Sequence, residues 1–410
     1  MKQIAFALLV SCCLGSSAFA QVAPAATSTG ALAQVHGFDY AFRYSETALF
    51  YPKVQTIQAS IVSGTLAYTN RTLEKPFTMT YAGGYTWTLT GPAYQTGQFH
   101  RMFLSQGINA RRWKLLFSDN VAYSPQSPTT GFSGIPGIGE VIGAPNPSPS
   151  TSQAILTVNT HVLNNSALAQ FEHTLNFATS VTMGGTSDIL FFPNHDGIDT
   201  RSASANGYLT RRISARTSFG GRYTFTQFEY PGTTVAMHTS TVLGGVNERI
   251  TRNLSVSEYF GPQWIDSTVL AVIPTQTTYA ANASVNYTKR LTTFSGTYNH
   301  GTNGGSGYFI GGTVDNVDAN VMRRMTPDVT LGFSGGYLRN ASFNTFGATN
   351  AEYGATQVTW QVGRNLIVFG NYTGRTQSSN ITLPGNVLND TIHSLSFGFG
   401  LSPREARVRP

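Results

Sequence analysis

A transmembrane antiparallel β-barrel is the fold class this sequence predicts, and three observations predict it. Only 11% of the 410 residues are Asp, Glu, Lys or Arg, against roughly 25% in an average soluble chain. Mean hydropathy is nevertheless near zero, because Ser, Thr, Asn and 42 glycines carry the polarity, and aromatics reach 12%. A soluble surface relies on charge to stay dispersed, and here there is little. Finally, several segments alternate apolar and polar residues with period two, while no run of about 18 or more apolar residues offers a transmembrane helix.

The chain opens with "MKQIAFALLVSCCLGSSAFA", the pattern of a secretory signal. Lys2 is the positive end, Ile4 to Val10 the apolar core and Ala18-Phe19-Ala20 a small-x-small cleavage site, so the mature chain is expected to begin at Gln21. Leu9-Val10-Ser11-Cys12 has the residues of a lipobox, a rival that places its cysteine very close to the N-terminus. Both cysteines, Cys12 and Cys13, lie in this segment. A mature chain without them excludes disulfides, thiolate metal sites and a cysteine nucleophile. The expected organisation is a signal over residues 1–20, a periplasmic segment over 21–36 too short for a plug, a barrel over 37–401 and a periplasmic tail over 402–410.

Alternation is clearest in four places. In "PFTMTYAGGYTWTLTG", Phe77, Met79, Tyr81, Tyr85, Trp87 and Leu89 share one face, with Thr78, Thr80, Thr86 and Thr88 on the other. Tyr279, Ala281, Ala283, Val285 and Tyr287 oppose Asn282, Ser284 and Asn286. Val329, Leu331, Phe333 and Tyr337 oppose Thr330 and Ser334; Leu395, Phe397, Phe399 and Leu401 oppose Ser394, Ser396, Gly398 and Gly400. One face of each strand therefore meets an apolar phase and the other a polar one. Aromatics at both ends of an apolar centre, as at Tyr279 and Tyr287, fit the girdles of a membrane barrel at its two interfaces. The segments around Arg101, Val242 and Glu258 alternate poorly. A spanning strand needs about 9–11 residues, and the chain holds about 18 such segments. Sixteen is the alternative, because residues 37–70 and 96–124 read least clearly.

Cations recur at regular stations: "YLTRRISART" from Tyr208, "YTKRLTTFS" from Tyr287, "VMRRMTPDVTL" from Val321 and "QVGRNLIVF" from Gln361. Arg71, Arg111, Arg112, Arg211, Arg212, Arg249, Lys289, Arg290, Arg323, Arg324 and Arg364 all fall in or beside short connections. The alternate connections are longer and rich in Gly, Pro, Asn and Ser. Outer-membrane barrels have short periplasmic turns and long external loops, so these cations are expected to ring the periplasmic rim. There they would meet phospholipid head groups or, on the sharper reading, bias the mouth toward anions.

The blocks "YAGGYTWTL", "INARRWKLLFSDNVAYSPQSPTTGFSGIPGIGE", "EYFGPQWI" and "HSLSFGFGLSPRE" resemble porin-like outer-membrane β-barrel proteins of Gram-negative bacteria, and the resemblance runs over nearly all of the chain after its signal. It implies an outer-membrane location, insertion by the barrel-assembly machinery, contact with outer-membrane lipids and passage of small hydrophilic solutes. It is specific for architecture and names no substrate. In general porins the third external loop narrows the lumen, and the segment from Ser124 to Ser152 has a similar place. Phe132, Ile135, Ile138 and Val141 give it something to bury, with Glu140 the acid available to a constriction. A mobile surface loop is the plainer reading. Trimerisation of general porins makes a homo-oligomer an open expectation by fold analogy alone. Barrel proteins often end on an aromatic residue, whereas here "SPREARVRP" follows the last expected strand.

Arg43, Arg216, Arg222 and Arg375 fall on polar faces and are candidates for the lumen, with Glu172, Asp318 and Asn316 facing them. Charges inside a barrel tune ion selectivity, or pair across the lumen to hold the wall. "PNHDGIDT" gathers Asn194, His195, Asp196 and Asp199, but without the spacing of a calcium loop, and Asp-Gly is an ordinary turn pair. The eight histidines are scattered, and none falls in a hydrolase or zinc signature. His161 and His173 flank "VLNNSALAQFE", read as a turn region. No enzyme, cofactor or metal site is expected. The net charge of +7 comes from dispersed arginines, which does not suit nucleic acid. The expected function is passive diffusion of small hydrophilic solutes with an anion bias. The alternatives are a dedicated barrel, for example for a polysaccharide, shut by the Ser124–Ser152 loop, and a non-conducting structural or adhesive barrel.

Overall fold

The computed structural model describes residues 36–401 apart from 51–55, 71, 91–95, 126–160, 196, 270, 306–308, 344–346 and 381–389. Among the described residues eighteen strands follow one another, and all eighteen belong to one sheet. The first six are β1 (His36–Phe50), β2 (Ile57–Asn70), β3 (Phe77–Thr90), β4 (Gly97–Asn109), β5 (Trp113–Pro125) and β6 (His161–Thr174). The next six are β7 (Thr179–Phe191), β8 (Thr200–Arg212), β9 (Thr217–Glu229), β10 (Ala236–Glu248), β11 (Leu254–Ser267) and β12 (Gln276–Lys289). The last six are β13 (Thr292–Gly305), β14 (Ile310–Arg324), β15 (Val329–Ser342), β16 (Ala348–Val362), β17 (Leu366–Ser379) and β18 (Asp390–Leu401). Each pairs antiparallel with its chain neighbours, and β1 pairs β18 from Phe42↔Leu401 to Phe50↔His393, closing the ring. The count settles on eighteen rather than sixteen, since residues 37–70 and 96–124 form β1, β2, β4 and β5.

Parity propagates around the ring, with one register shift at Gln58/Ala59 where β2 meets the end of β3. Phe42 lies opposite Gly64 and Leu401, and Leu401 opposite Leu366. The same face carries Met79, Tyr81, Tyr85, Met102, Phe117, Met183, Tyr223, Phe260, Tyr279, Phe333, Trp360, Phe397 and Phe399. The exposed large apolar residues of the strands all belong to this outer face. The inner face is lined by residues such as Ser45, Thr47, Ser63, Thr80, Thr86, Thr239, Ser284, Asn340 and Ser394, all buried. A chain with its apolar side chains outside and its polar ones inside needs an apolar solvent around it.

At one end the connections are short, and the cationic stations gather there. Arg111 and Arg112 lie in the 110–112 turn, Arg211 and Arg212 end β8, Lys289 ends β12 and Arg290 begins the two-residue turn before β13, Arg323 and Arg324 end β14, and Arg364 lies in the 363–365 turn. Arg71 lies outside the described residues. The repeat has a local cause. After the cations comes an apolar residue and then a hydroxyl or amide that caps the turn: Ser214 Oγ accepts from Arg216 N and Thr217 N at 3.0 and 2.9 Å, Thr251 Oγ1 from Asn253 N and Leu254 N at 3.2 and 3.0 Å, and Thr326 Oγ1 from Asp328 N and Val329 N at 3.3 and 3.0 Å. Such bonds satisfy backbone donors that the ladder leaves free at a tight connection. Arg290 itself takes a left-handed conformation, φ 52°.

One sequence reading changes here. "VLNNSALAQFE" is not a turn region but the middle of β6, and the turn that follows is 175–178; its Asn164 and Asn165 sit on opposite faces of the strand. The poor alternation near Arg101, Val242 and Glu258 is real. Phe99, Met237, Leu243 and Ile265 point inward and are buried, whereas Glu258 and Pro262 point outward.

Candidate functional site

The interior divides into a polar middle and a partly apolar mouth at the end with the long connections. In the middle, inward positions hold Arg43 on β1, Arg101 on β4, Arg222 on β9 and Arg375 on β17, with Asp188 on β7 and Asp318 on β14. The Arg43 guanidinium lies 3.6 Å from the centroid of the Phe369 ring and that of Arg222 5.1 Å from Tyr208, contacts that hold a cation against the wall. Arg222 Nε also donates to Thr224 Oγ1 at 2.9 Å, and Arg375 donates to Gln377 Oε1 at 2.7 Å. Asp318 accepts from the Tyr353 hydroxyl at 2.6 Å and from Asn316 Nδ2 at 2.7 Å. Asp188 accepts from the hydroxyls of Ser166 and Ser202. Neutral donors thus satisfy both carboxylates, leaving them as fixed features of the wall.

Several inward rings lie flat over a glycine of the next strand. A Cβ on Gly245 would come within 2.5 Å of the Tyr259 ring, and one on Gly398 within 2.4 Å of Phe369. Glycine here lets a large ring lie along the wall instead of across the channel.

At the mouth three buried apolar groups point inward: Leu49, Ile57 and Ile392 at the ends of β1, β2 and β18; Val162, Leu190 and Phe192 at β6 and β7; and Phe228, Tyr230, Met237, Ile265 and Ile273 at β9 to β12. The third group receives a chord across the interior. The β13–β14 hairpin leaves the wall beyond His300, the last residue of β13 in register with β12. Thr302 Oγ1 then donates to the inward Gln263 of β11 at 2.7 Å. A Cβ on Gly304 would lie 2.7 Å from Thr200 on β8 and 2.8 Å from Phe228 on β9, strands far around the ring. Ile310 and Phe343 complete the packing. Gly305 and Gly311 have φ of 102° and 64°, conformations that glycine tolerates and that turn the hairpin inward.

The lumen residues expected from sequence are placed unevenly. Arg43, Arg222 and Arg375 line the interior, and Asp318 and Asn316 do too. Arg216 does not: it lies exposed in the 213–216 turn, where capping by Ser214 fixes it outside the wall. Glu172 points inward but sits at the short-turn end, 3.4 Å from Lys114 Nζ. Arg101 and Asp188 were missed. Arg101 is flanked by Phe99, Met102 and Phe103, which hide its face, and Asp188 precedes the apolar run Ile189–Phe192. Phe132, Ile135, Ile138 and Glu140 lie outside the described residues. Asp199 Oδ1 accepts from Phe192 N at 2.9 Å, an ordinary loop bond, and Asp196 is not described. Among the described residues no group of three or more metal-ligating side chains forms.

No protein-family model matches the chain, and no curated protein is similar to it in sequence. Solved structures with a similar course include Acinetobacter baumannii OccAB4 at 6% identity and TM-score 0.45, covering 92% of this chain and 99% of that one. Pseudomonas aeruginosa OpdQ is similar at 12% identity and TM-score 0.43 over 90% and 99% of the two chains. Pseudomonas aeruginosa OpdK with vanillate is similar at 7% identity and TM-score 0.43 over 89% and 98%. At such values the function has to be argued from this barrel's own residues.

Proposed function

We propose that the chain is an outer-membrane channel for passive diffusion of small hydrophilic solutes, biased toward anions, in a Gram-negative bacterium. The observation that carries this reading is a closed ring of 18 strands with an apolar outside and a polar inside. Barrels of about 16–18 strands leave an aqueous channel. The short-turn end then faces the periplasm, and its cations meet phospholipid head groups and the passing solute. At mid-height Arg43, Arg101, Arg222 and Arg375 stand against Asp188 and Asp318, a cationic excess that favours anions through the low-dielectric wall.

Single-channel conductance of the refolded protein in a planar bilayer, with reversal potential under a salt gradient, tests this. Steady conductance with anion preference is expected. Folded, inserted protein that never conducts refutes the open channel. A second reading, a dedicated barrel that is narrow at its outer mouth, draws support from the β13–β14 chord and its apolar seat; partial deletion of residues 302–312 would then raise conductance.

A further inference from the structure

The outer wall carries ionisable side chains that the channel does not use, and the histidines among them are ordered. His100, His161, His238, His300 and His393 all point outward near the long-connection ends of β4, β6, β10, β13 and β18. Each stacks on an aromatic ring of the preceding strand: Tyr81, Tyr123, Phe225, Tyr279 and Tyr372. Two of the five face a carboxylate. His300 Nδ1 lies 2.6 Å from Asp315 Oδ1, and His238 is in register with Asp266.

On β3 to β6 the rings form one unbroken row, Tyr81, His100, Tyr123, His161. The Tyr81 hydroxyl is 2.7 Å from His100 Nδ1, His100 is in register with Tyr123, and the Tyr123 and His161 rings stack at 5.7 Å. With Nδ1 engaged by the phenol, Nε2 of His100 is the nitrogen left for a ligand. The one outward carboxylate described on these four strands is Asp119, four residues from Tyr123 toward the short-turn end and bonded by Asn165 Nδ2 at 2.7 Å. The flanking strands β2 and β7 present no outward Asp, Glu, Lys or Arg. Among the described residues the row is therefore a set of hydrogen-bond donors at an interface, with no carboxylate beside it and able to gain positive charge. Imidazole is the side chain whose charge changes between about pH 5 and 8, and hydrogen bonds from charged donors to phosphate are the strong ones.

We propose that the Tyr81–His100–Tyr123–His161 row binds the phosphate of an anionic lipid head group in the outer leaflet, and binds it more tightly on acidification. This rests on the long-connection end facing outward, as proposed above, but not on the channel being open. A phosphorylated glycolipid, a bis-phosphorylated lipid A, is the occupant that suits a lipid-facing row at that height.

The test is retention of lipid by the folded full chain in detergent micelles, read by native mass spectrometry at pH 8 and pH 6. The probes are bis-phosphorylated lipid A and its dephosphorylated form. Wild type should retain the phosphorylated lipid preferentially, and more so at pH 6. The H100Q/H161Q variant should lose about tenfold in retention, the size of one charge-assisted hydrogen bond, together with the pH dependence. His238→Gln, whose imidazole faces Asp266, should change neither. Equal retention of the two lipids by wild type, which needs no variant, would overturn the proposal, as would an unaltered double variant. Displacement of the lipid by millimolar inorganic phosphate would assign the row to a free anion and overturn the lipid assignment. Heat-modifiable mobility checks that each variant is folded. A barrel that retains lipid as expected but never conducts would refute the channel and leave this site standing.

Discussion

Val242 lies at the middle of β10, pointing outward beside Tyr223 and 42% exposed. At about 3.4 Å per residue and a tilt near 40°, six residues place it roughly 16 Å from either strand end. That is close to the midplane of an apolar band about 25 Å tall, too deep for an arginine to reach water without deforming the bilayer. Val242→Arg should therefore cost about 2–4 kcal/mol, lowering the folding equilibrium roughly 30- to 900-fold. Asn282 is at the corresponding height on β12 but points inward, in register with Tyr259 and Asn299. Asn282→Arg meets water in a channel and should stay within about 0.5 kcal/mol, while moving the reversal potential further toward anions. Urea titration of both variants in lipid vesicles, followed by tryptophan fluorescence and heat-modifiable mobility, gives the two numbers. A neutral Val242→Arg beside a destabilised Asn282→Arg would refute the assignment of the two faces, and with it the membrane reading.

The other expectations are narrower. Arg375→Gln and Arg43→Gln each remove one lumen charge and should reduce anion preference in reversal-potential measurements; Arg43→Lys keeps the charge but loses the planar stack on Phe369, so selectivity should hold while stability falls slightly. Gly304→Val drives a side chain into Thr200 and Phe228, an overpacking of about 1–3 kcal/mol; it should unseat the chord and raise single-channel conductance, whereas unchanged conductance would mean that the chord does not limit flow. Burial pushes the Tyr230 phenol upward from its ordinary value of 10.0. The unfolded chain therefore ionises first, and the stability this phenol contributes is complete below about pH 10 and falls as pH rises beyond it. Tyr230→Phe should flatten that loss relative to wild type in denaturation curves at pH 9 and pH 11.

Strand identity was legible where the two sides of the wall differ in kind. On β3, β12, β15 and β18, bulky apolar residues face lipid and Ser, Thr, Asn or Gly face the lumen, so period two is plain. On β4, β10 and β11 it is blurred, because Phe99, Met237, Leu243 and Ile265 point into the barrel, Met237 and Ile265 among them seating the apolar mouth, while Glu258 and Pro262 face outward. A single sequence does not distinguish an apolar residue that faces lipid from one that seats a loop. The chord was illegible for a related reason: its Gly- and Asn-rich stretch has the composition of the other long connections, and only the packing of Gly304 and Ile310 on distant strands shows its described part crossing the interior. The cationic rim, by contrast, was readable from the repeat alone, since turn chemistry and cation position are both local.

All but one of the ladders join segments adjacent in the chain. The exception is the β1–β18 seam, whose partners lie nearly the whole chain apart, as in the Thr47–Ser396 hydroxyl pair at 2.8 Å. A hairpin can zip as soon as its own turn forms, whereas the seam has to await both termini and the curvature of every strand between them. Until it closes, two bare edges present unpaired amides and carbonyls to the bilayer. The slow step of assembly, and the place where a chaperoning edge would be most needed, is therefore the seam. Weakening the Thr47–Ser396 contact should delay the mature barrel far more than an equal loss in any hairpin.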